Sequence, residues 1–342
     1  MSMRFALPVP LLSGLWAASF GLVFHIASGV QDRIAVMPVG NDVIYKQDDE
    51  DAEREQLPGN SKTYQRLRKT PTAYTAEYGF TNFNHDFLTI HYQLPSKPYE
   101  DYINSWGYST TYLDSLKTWS SQTRDAALKT ATARHETQAQ FNQDLAAIEA
   151  QYNQKVKDYM SSKSFRFLTG KETEVEVDMP KVVRANSVYV KTLSQAFDQV
   201  ATQKRYDSGN LIGAVASMVQ TAIIYWVMPP VVGAVHNGGF WPPLQTLMTG
   251  RGDCITKTGV LASVLANFPQ MRMVGLALPG HYLMAILRIP NKGDLFVEYQ
   301  GLQYVLVEPA GPAWLTPGSV GEHTQVLLEA SQGYRIEPFF LN

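Results

Sequence analysis

The 342-residue chain contains a single thiol, Cys254. It follows Gly250-Arg251-Gly252-Asp253 directly and opens an apolar run in which Leu261, Val264, Leu265 and Phe268 recur at i, i+3, i+4 and i+7. That spacing predicts a helix with Asp253 as its cap and Cys254 in its first turn. The unpaired N–H groups and dipole at such an end favour an anion, so this is where a thiolate would form. A second site follows in "LPGHY", where His281 opens the alternating run "HYLMAILRI", and a third group, Glu308, closes "LQYVLVEPAG". A thiol, an imidazole and a carboxylate thus arrive in the order nucleophile, base and orienter, the set that cysteine-centred acyl chemistry needs. His281 is preferred as the base over His236 and His323 because of its Pro-Gly entry and its place after the cysteine.

An oxyanion donor is also required. The backbone N–H of Cys254 is the first candidate and Gln220 the second, since an amide inside a strongly apolar helix needs a partner, supplied either by a cleft or by backbone. Trp241, beside Pro242 and Pro243, would either wall the cleft against water or simply pack. Asp253 reads as a cap rather than a base. The distances along the chain between Cys254, His281 and Glu308 lack the short-spaced ligand pair usual in zinc sites, so neither a metal nor another cofactor is expected.

These groups need elements to carry them. From Met271 to Leu278, His281 to Ile289, Leu295 to Tyr299 and Leu302 to Val307 the chain is apolar, with turns at Pro-Gly, Asn-Lys-Gly-Asp and Gln-Gly between. This pattern predicts an antiparallel meander with His281 and Glu308 at strand ends on one face. Leu211 to Met228 is apolar enough to suggest a membrane span, but Ser217, Gln220, Thr221 and the Pro229-Pro230 stop favour a buried core helix. Upstream, Thr72 to Leu94 is aromatic and threonine-rich and reads as a pair of strands, with His85 and His91 in structural roles. No Gly or Pro occurs from Tyr108 to Thr169, which predicts long helix broken near Thr130 to His135. Its narrow seam of Phe141, Leu145, Ile148, Tyr152, Val156 and Tyr159 suits an antiparallel neighbour, a short coiled coil or a helical partner engaged through residues 108–165. Glu172 to Pro180 alternates like an exposed strand, and Asn186 to Thr202 has amphipathic helical spacing.

Composition bounds the rest. The chain is 45% apolar, ample for a core, and its 29 Lys+Arg against 31 Asp+Glu leave a net charge of −2, which gives no basis for a nucleic-acid partner. One cysteine excludes an intrachain disulfide framework. Phe5 to Gly29 carries no charge apart from that open to His25, after a short segment with Arg4. This reads as export or anchoring, with retention as a membrane segment and cleavage after Ala27-Ser28-Gly29 both open. The expected layout is a signal or anchor over 1–29, a linker over 30–70, a strand pair and long helical region over 71–170, and a catalytic domain over 171–342. The expected setting is the cell envelope, periplasmic or otherwise extracytoplasmic.

Four stretches together, "SMVQTAIIY" from Ser217, "WPPLQTLMTGRGDCITKTGVLASVL" from Trp241, "PGHYLMAI" from Pro279 and "YVLVEPAG" from Tyr304, resemble the bacterial transglutaminase-like branch of the papain-like cysteine-enzyme superfamily. The resemblance covers about residues 205–325. It implies an α+β fold with a cysteine-bearing helix packed on an antiparallel sheet, and Cys254, His281 and Glu308 as nucleophile, base and orienter. Many relatives carry Asp where Glu308 stands, and the calcium sites and extra β-domains of the animal crosslinking enzymes have no counterpart in this sequence. A cysteine peptidase or amidase acting on a peptide or protein is the leading expectation. An acyl transferase using an amine in place of water, and a non-catalytic, membrane-tethered scaffold, are the alternatives.

Overall fold

A computed structural model describes residues 55–56, 62–168, 171–330 and 333–339; the predicted N-terminal anchor and most of the predicted linker lie outside them. The fold is a mixture of helices and antiparallel sheets. It divides into two compact units that are interleaved along the chain. Among the described residues, one is built from Gly107–Asp178 and Pro230–Gly238, the other from those up to Trp106, Met179–Pro229 and those from Gly239 on. The strand pair expected ahead of the helical region therefore belongs to the same unit as Cys254.

Chain order begins with a four-stranded sheet, β1 (Glu55–Gln56), β2 (Tyr64–Lys69), β3 (Ala73–Thr81) and β4 (Phe87–Pro95), each paired antiparallel with the next. The first two strands lie in the stretch read as linker. β1 is only two residues long, and the Gln-Arg-Leu-Arg-Lys run of charge-rich β2 hides the alternation. Pairing is tight at Gly79, opposite Tyr64, where any side chain would strike the Tyr64 ring. The turn after β3 is shaped by Asn82, whose Oδ1 accepts from the N–H of Asn84 and of Asp86, with His85 at φ 61°. Helix α1 (Ser96–Ser105) follows.

The next unit starts with β5 (Tyr108–Ser109) and the hairpin of α2 (Thr110–Arg134) and α3 (Gln138–Ser162). The break falls within the predicted interval. His135 closes α2 in the left-handed region at φ 51°, and Thr137 opens α3 with a reciprocal cap in which its side chain accepts from Gln140 N–H. Helix does not persist to Thr169 as expected. Ser164 takes φ 60°, and β6 (Phe165–Leu168) pairs with β7 (Lys171–Val177), which satisfies the backbone of that segment by a strand ladder.

Returning to the second unit, α4 (Met179–Asn186), α5 (Lys191–Lys204) and α6 (Ser208–Thr221) lead to β8 (Ile224–Tyr225). Helix α6 is buried from Leu211 to Gln220, in keeping with a core helix. Strands β9 (Val231–Val232) and β10 (Val235–His236) pair within the first unit, alongside β5. Then come α7 (Pro243–Thr249), β11 (Arg251–Gly252), α8 (Cys254–Leu265), β12 (Met273–Leu278), β13 (His281–Leu287), β14 (Phe296–Tyr299), β15 (Leu302–Val307), α9 (Glu322–Glu329) and β16 (Arg335–Pro338). The last sheet has the order β14-β15-β13-β12-β16. It departs from the expected meander because β15, not β14, lies beside β13. The Asn-Lys-Gly-Asp segment is not a direct hairpin. Asp294 instead accepts from Arg288 and from Asn291 N–H, which carries the chain past the open edge before it turns back. Val274, Leu276, Leu278, Leu283, Ala285, Tyr304 and Leu306 form one apolar face, closed by Val320, Leu327 and Leu328. Among the described residues no helix is long and apolar enough to cross a membrane.

Candidate active site

The thiol is placed by a run of short devices. Gly250, at φ 65°, caps α7; Arg251-Gly252 pairs parallel with β8; Asp253 then opens α8, its carboxylate accepting from Thr256 N–H at 3.0 Å. The first helical bond runs from Lys257 N–H to Asp253 O at 2.9 Å. Among the described residues no acceptor meets the N–H of Cys254, as expected for the first turn of a helix. Thr258 fixes this turn to the sheet. Its hydroxyl lies 2.8 Å from Cys254 O and 3.1 Å from Tyr282 O, so the turn bearing the thiol is fastened beside the residue that follows His281.

The register of the sheet explains why the other two groups meet. Met284 is opposite Val307, so Glu308 falls opposite Leu283 and on the same side of the sheet as His281. His281 Nε2 lies 3.2 Å from Glu308 Oε2. Glu308 is only 3% exposed, and every oxygen of its carboxylate is engaged. Oε1 accepts from Ala310 N–H at 3.1 Å, and Oε2 accepts from the Thr324 hydroxyl at 2.7 Å. Thr324 Oγ1 also stands 3.2 Å from His281 Nε2.

Electrostatics follows from this packing. Burial opposes the charge on His281, but its hydrogen bonds with Cys254 and with Glu308 outweigh it and carry the imidazole up to about 10. For Glu308 burial again opposes ionisation, yet His281, Thr324 and the Ala310 N–H hold the carboxyl below its ordinary range. With Nε2 held by Glu308 and Thr324, Nδ1 is the ring nitrogen left for the sulfur. Burial raises the carboxyl of Asp253, which the Thr256 N–H partly offsets.

His281 and Glu308 are therefore in contact, with Cys254 acting on the imidazole's charge, while Gln220 serves another end. Its Nε2 donates to Glu308 O at 2.7 Å and Leu315 O at 2.9 Å, and its Oε1 accepts from Leu315 N–H at 2.9 Å. Both amide hydrogens are thus spent on backbone, and Gln220 clamps the segment that ends in Glu308 rather than facing an oxyanion. The clamp also accounts for Gly311, where a Cβ would come within 1.9 Å of Gln220 O. Trp241 is half-buried ahead of α7, with its carbonyl accepting from Thr246, and is not joined to the thiol by any of the site's hydrogen bonds.

Three neighbours escaped the sequence reading. Thr324 occupies an otherwise apolar face with Val320, Leu327 and Leu328, and a polar residue in that position was the available signal. Tyr225 is held beside the thiol by the pairing of β8 with β11, and burial, Cys254, Asp253 and Glu308 together push its phenol up to about 12. Lys257 lies wholly inside the protein. Among the described residues no group of three His, Cys, Asp or Glu side chains is arranged to hold a metal.

No family model, curated protein or solved structure matches this chain.

Proposed function

We propose that this protein is a cysteine hydrolase of the transglutaminase-like type, with a papain-like core, that cleaves a peptide or other amide bond at Cys254. The observation that carries the reading is His281 Nε2 standing 3.2 Å from Glu308 Oε2, with the thiol of Cys254 among the groups that raise the imidazole. In this scheme Nδ1 takes the proton of the thiol, and the sulfur forms a bond to the carbonyl carbon. Negative charge passes to the carbonyl oxygen, where the unclaimed N–H of Cys254 is available to receive it. The C–N bond then breaks, the imidazolium returns its proton to the departing amine, and a thioester remains. Water, deprotonated by the same nitrogen, releases the acid and restores the thiol. Glu308 and Thr324 keep Nε2 in place throughout, which fixes the tautomer and offsets the imidazolium charge.

The stretch from Phe5 to Gly29, without Lys, Arg, Asp or Glu, supports an exported or membrane-anchored setting, so peptides of the cell envelope are the substrates to try. Two measurements test the reading. Iodoacetamide at about pH 6–7 should label Cys254 in the folded protein faster than in the unfolded chain, since an activated thiol reacts through its anion. Wild type incubated with cell-envelope proteins and peptidoglycan peptides should release new amines, and Cys254→Ala should lose this by roughly a thousandfold or more. Labelling no faster than in the unfolded chain sinks the activated thiol; transfer to a labelled primary amine in preference to water would make the enzyme an acyl transferase.

A further inference from the structure

The mechanism above leaves one ionisable group inside the site unused. Lys257 is 0% exposed, and among the described residues its Nζ has no hydrogen-bond partner. An amine with three donors is among the groups least often buried without a partner, so its presence here calls for a cause. It does not reach solvent with its head, and among the described residues it forms no ion pair. Lys257 sits one turn beyond Cys254 on α8, and helical side chains lean toward the helix N-terminus, which carries its stem back toward the thiol's turn. Asp253 and Cys254 from its own helix and Glu308 from the end of β15 all favour its charge, although burial outweighs them and brings the ammonium down to about 7. The groups around those partners are Tyr225, from β8, and His281, from β13.

We propose that Lys257 is a positioning residue that supplies, from within the core, the positive charge against which Cys254 ionises. Below about pH 7 Nζ holds its proton; the proton of the thiol goes to His281, and no bond to Lys257 is made or broken. The interior has little water to screen the pair, so one fixed charge there acts more strongly on the sulfur than a surface lysine would. The proposal rests on the thiol and imidazole reading of the site and adds to it the group that sets the thiol's working range.

Lys257→Met keeps the length of the side chain and removes the charge. The experiment measures the rate at which iodoacetamide alkylates Cys254 from about pH 5 to pH 9, together with thermal melting, in wild type and variant. Removal of an unpaired buried amine should leave melting at or above that of wild type, while the alkylation profile moves to higher pH by about one unit, a roughly tenfold loss of thiolate at a given low pH. An unshifted profile in a folded variant overturns the proposal. Should Lys257→Met fail to fold, nitrogen NMR of the lysine Nζ in wild type and Cys254→Ser gives the reciprocal measurement. If the ammonium favours the thiolate, removing the thiolate must lower the lysine's titration midpoint by a matching amount, and an unchanged midpoint again refutes it. Alkylation does not depend on amide cleavage, so the two readings fail separately. A shifted profile without hydrolysis defeats only the hydrolase, and intact hydrolysis with an unshifted profile defeats only the role of Lys257.

Discussion

Ten of the twelve residues of α8 are buried, against four of the twenty-five in α3. Both helices are read from the same apolar periodicity, yet they use polar residues in opposite ways. In α3 the buried set is Ile148, Tyr152, Val156 and Met160, one residue per turn, and the polar residues between them face water. In α8 the buried set includes Thr256, Lys257, Thr258 and Ser263. A polar group in that interior has to be matched by a partner or it costs stability, so each one carries a decision about the site. Thr258 resolves it by joining Cys254 O to Tyr282 O, and Lys257 leaves it open. The buried set of the hairpin is apolar but for Ser120, whereas the cysteine helix holds apolar burial and several polar commitments in the same few turns.

If that contrast is sound, substitutions in the site should alter chemistry and titration as well as stability, and substitutions in the hairpin should alter stability alone. Glu308→Gln should have the largest effect. An amide N–H presented to His281 forces ring Nε2 to accept, which moves the ring proton to Nδ1 and removes the lone pair that faces the thiol. With the amide reversed, its N–H groups meet the Ala310 N–H instead. Either way amide cleavage should fall by about a hundredfold to ten-thousandfold, and the imidazole midpoint followed by proton NMR should drop from its raised value toward the ordinary one near 6.5. The sign in stability is fixed as well. His281 is raised in the folded state, so its contribution is full below about pH 6.5 and is lost as pH climbs toward 10; Glu308 is lowered, so its contribution is present above its ordinary value and is lost in acid. Denaturant unfolding should therefore show the greatest gap between wild type and Glu308→Gln at about pH 5–6.5, narrowing toward pH 10. A gap that widens with pH would mean that the pair is not an ion pair.

Leu283→Ala probes the sheet that carries the imidazole. Leu283 is wholly buried in the apolar face between His281 and Ala285, opposite the position of Glu308. Truncation should cost about 2–5 kcal/mol, read from the denaturant midpoint, and activity should fall in the protein that remains folded, because the strand under His281 loses its packing. Full activity per folded molecule would show that the apolar face merely supports the site and does not aim it.

How far the sequence discloses these matters depends on the range of the interaction. The Asp253 cap, the Cys254 turn, the break before Thr137 and the strands from Met273 to Val307 arise from contacts within a few residues, and each is readable as a local pattern. That Gln220 needed a partner was also readable. Its partners lie 88 and 95 residues away, and no spacing rule names them. The order of the last sheet is hidden for the same reason. A Gly-containing turn is consistent with a hairpin, and only the return of β15 to the edge of β13 decides otherwise. Thr324 and Tyr225 reach the site through α9 and the short β8 ladder, elements too brief to leave a periodic signature. Charge hid β2, since Arg and Lys on a strand read as linker when the partner strand is unknown.

The smallest effect is expected at Thr137. Its hydroxyl accepts from Gln140 N–H at 3.3 Å and its own N–H donates to Gln140 Oε1 at 2.9 Å, so one side chain satisfies the first turn of α3 and the other fixes the residue before it. Thr137→Ala leaves the Gln140 arm but orphans one helical N–H at an exposed site, where water takes over much of the bond. The cost should be about 1 kcal/mol. Amide hydrogen exchange should quicken at residues 138–141 and not along the buried seam from Ile148 to Met160, because fraying at a helix end does not reach contacts two turns further on. Alkylation of Cys254 should keep both its rate and its pH profile. If the profile moved, the hairpin would be energetically linked to the thiol, and the division between a region that only packs and a region that also titrates would have to be given up.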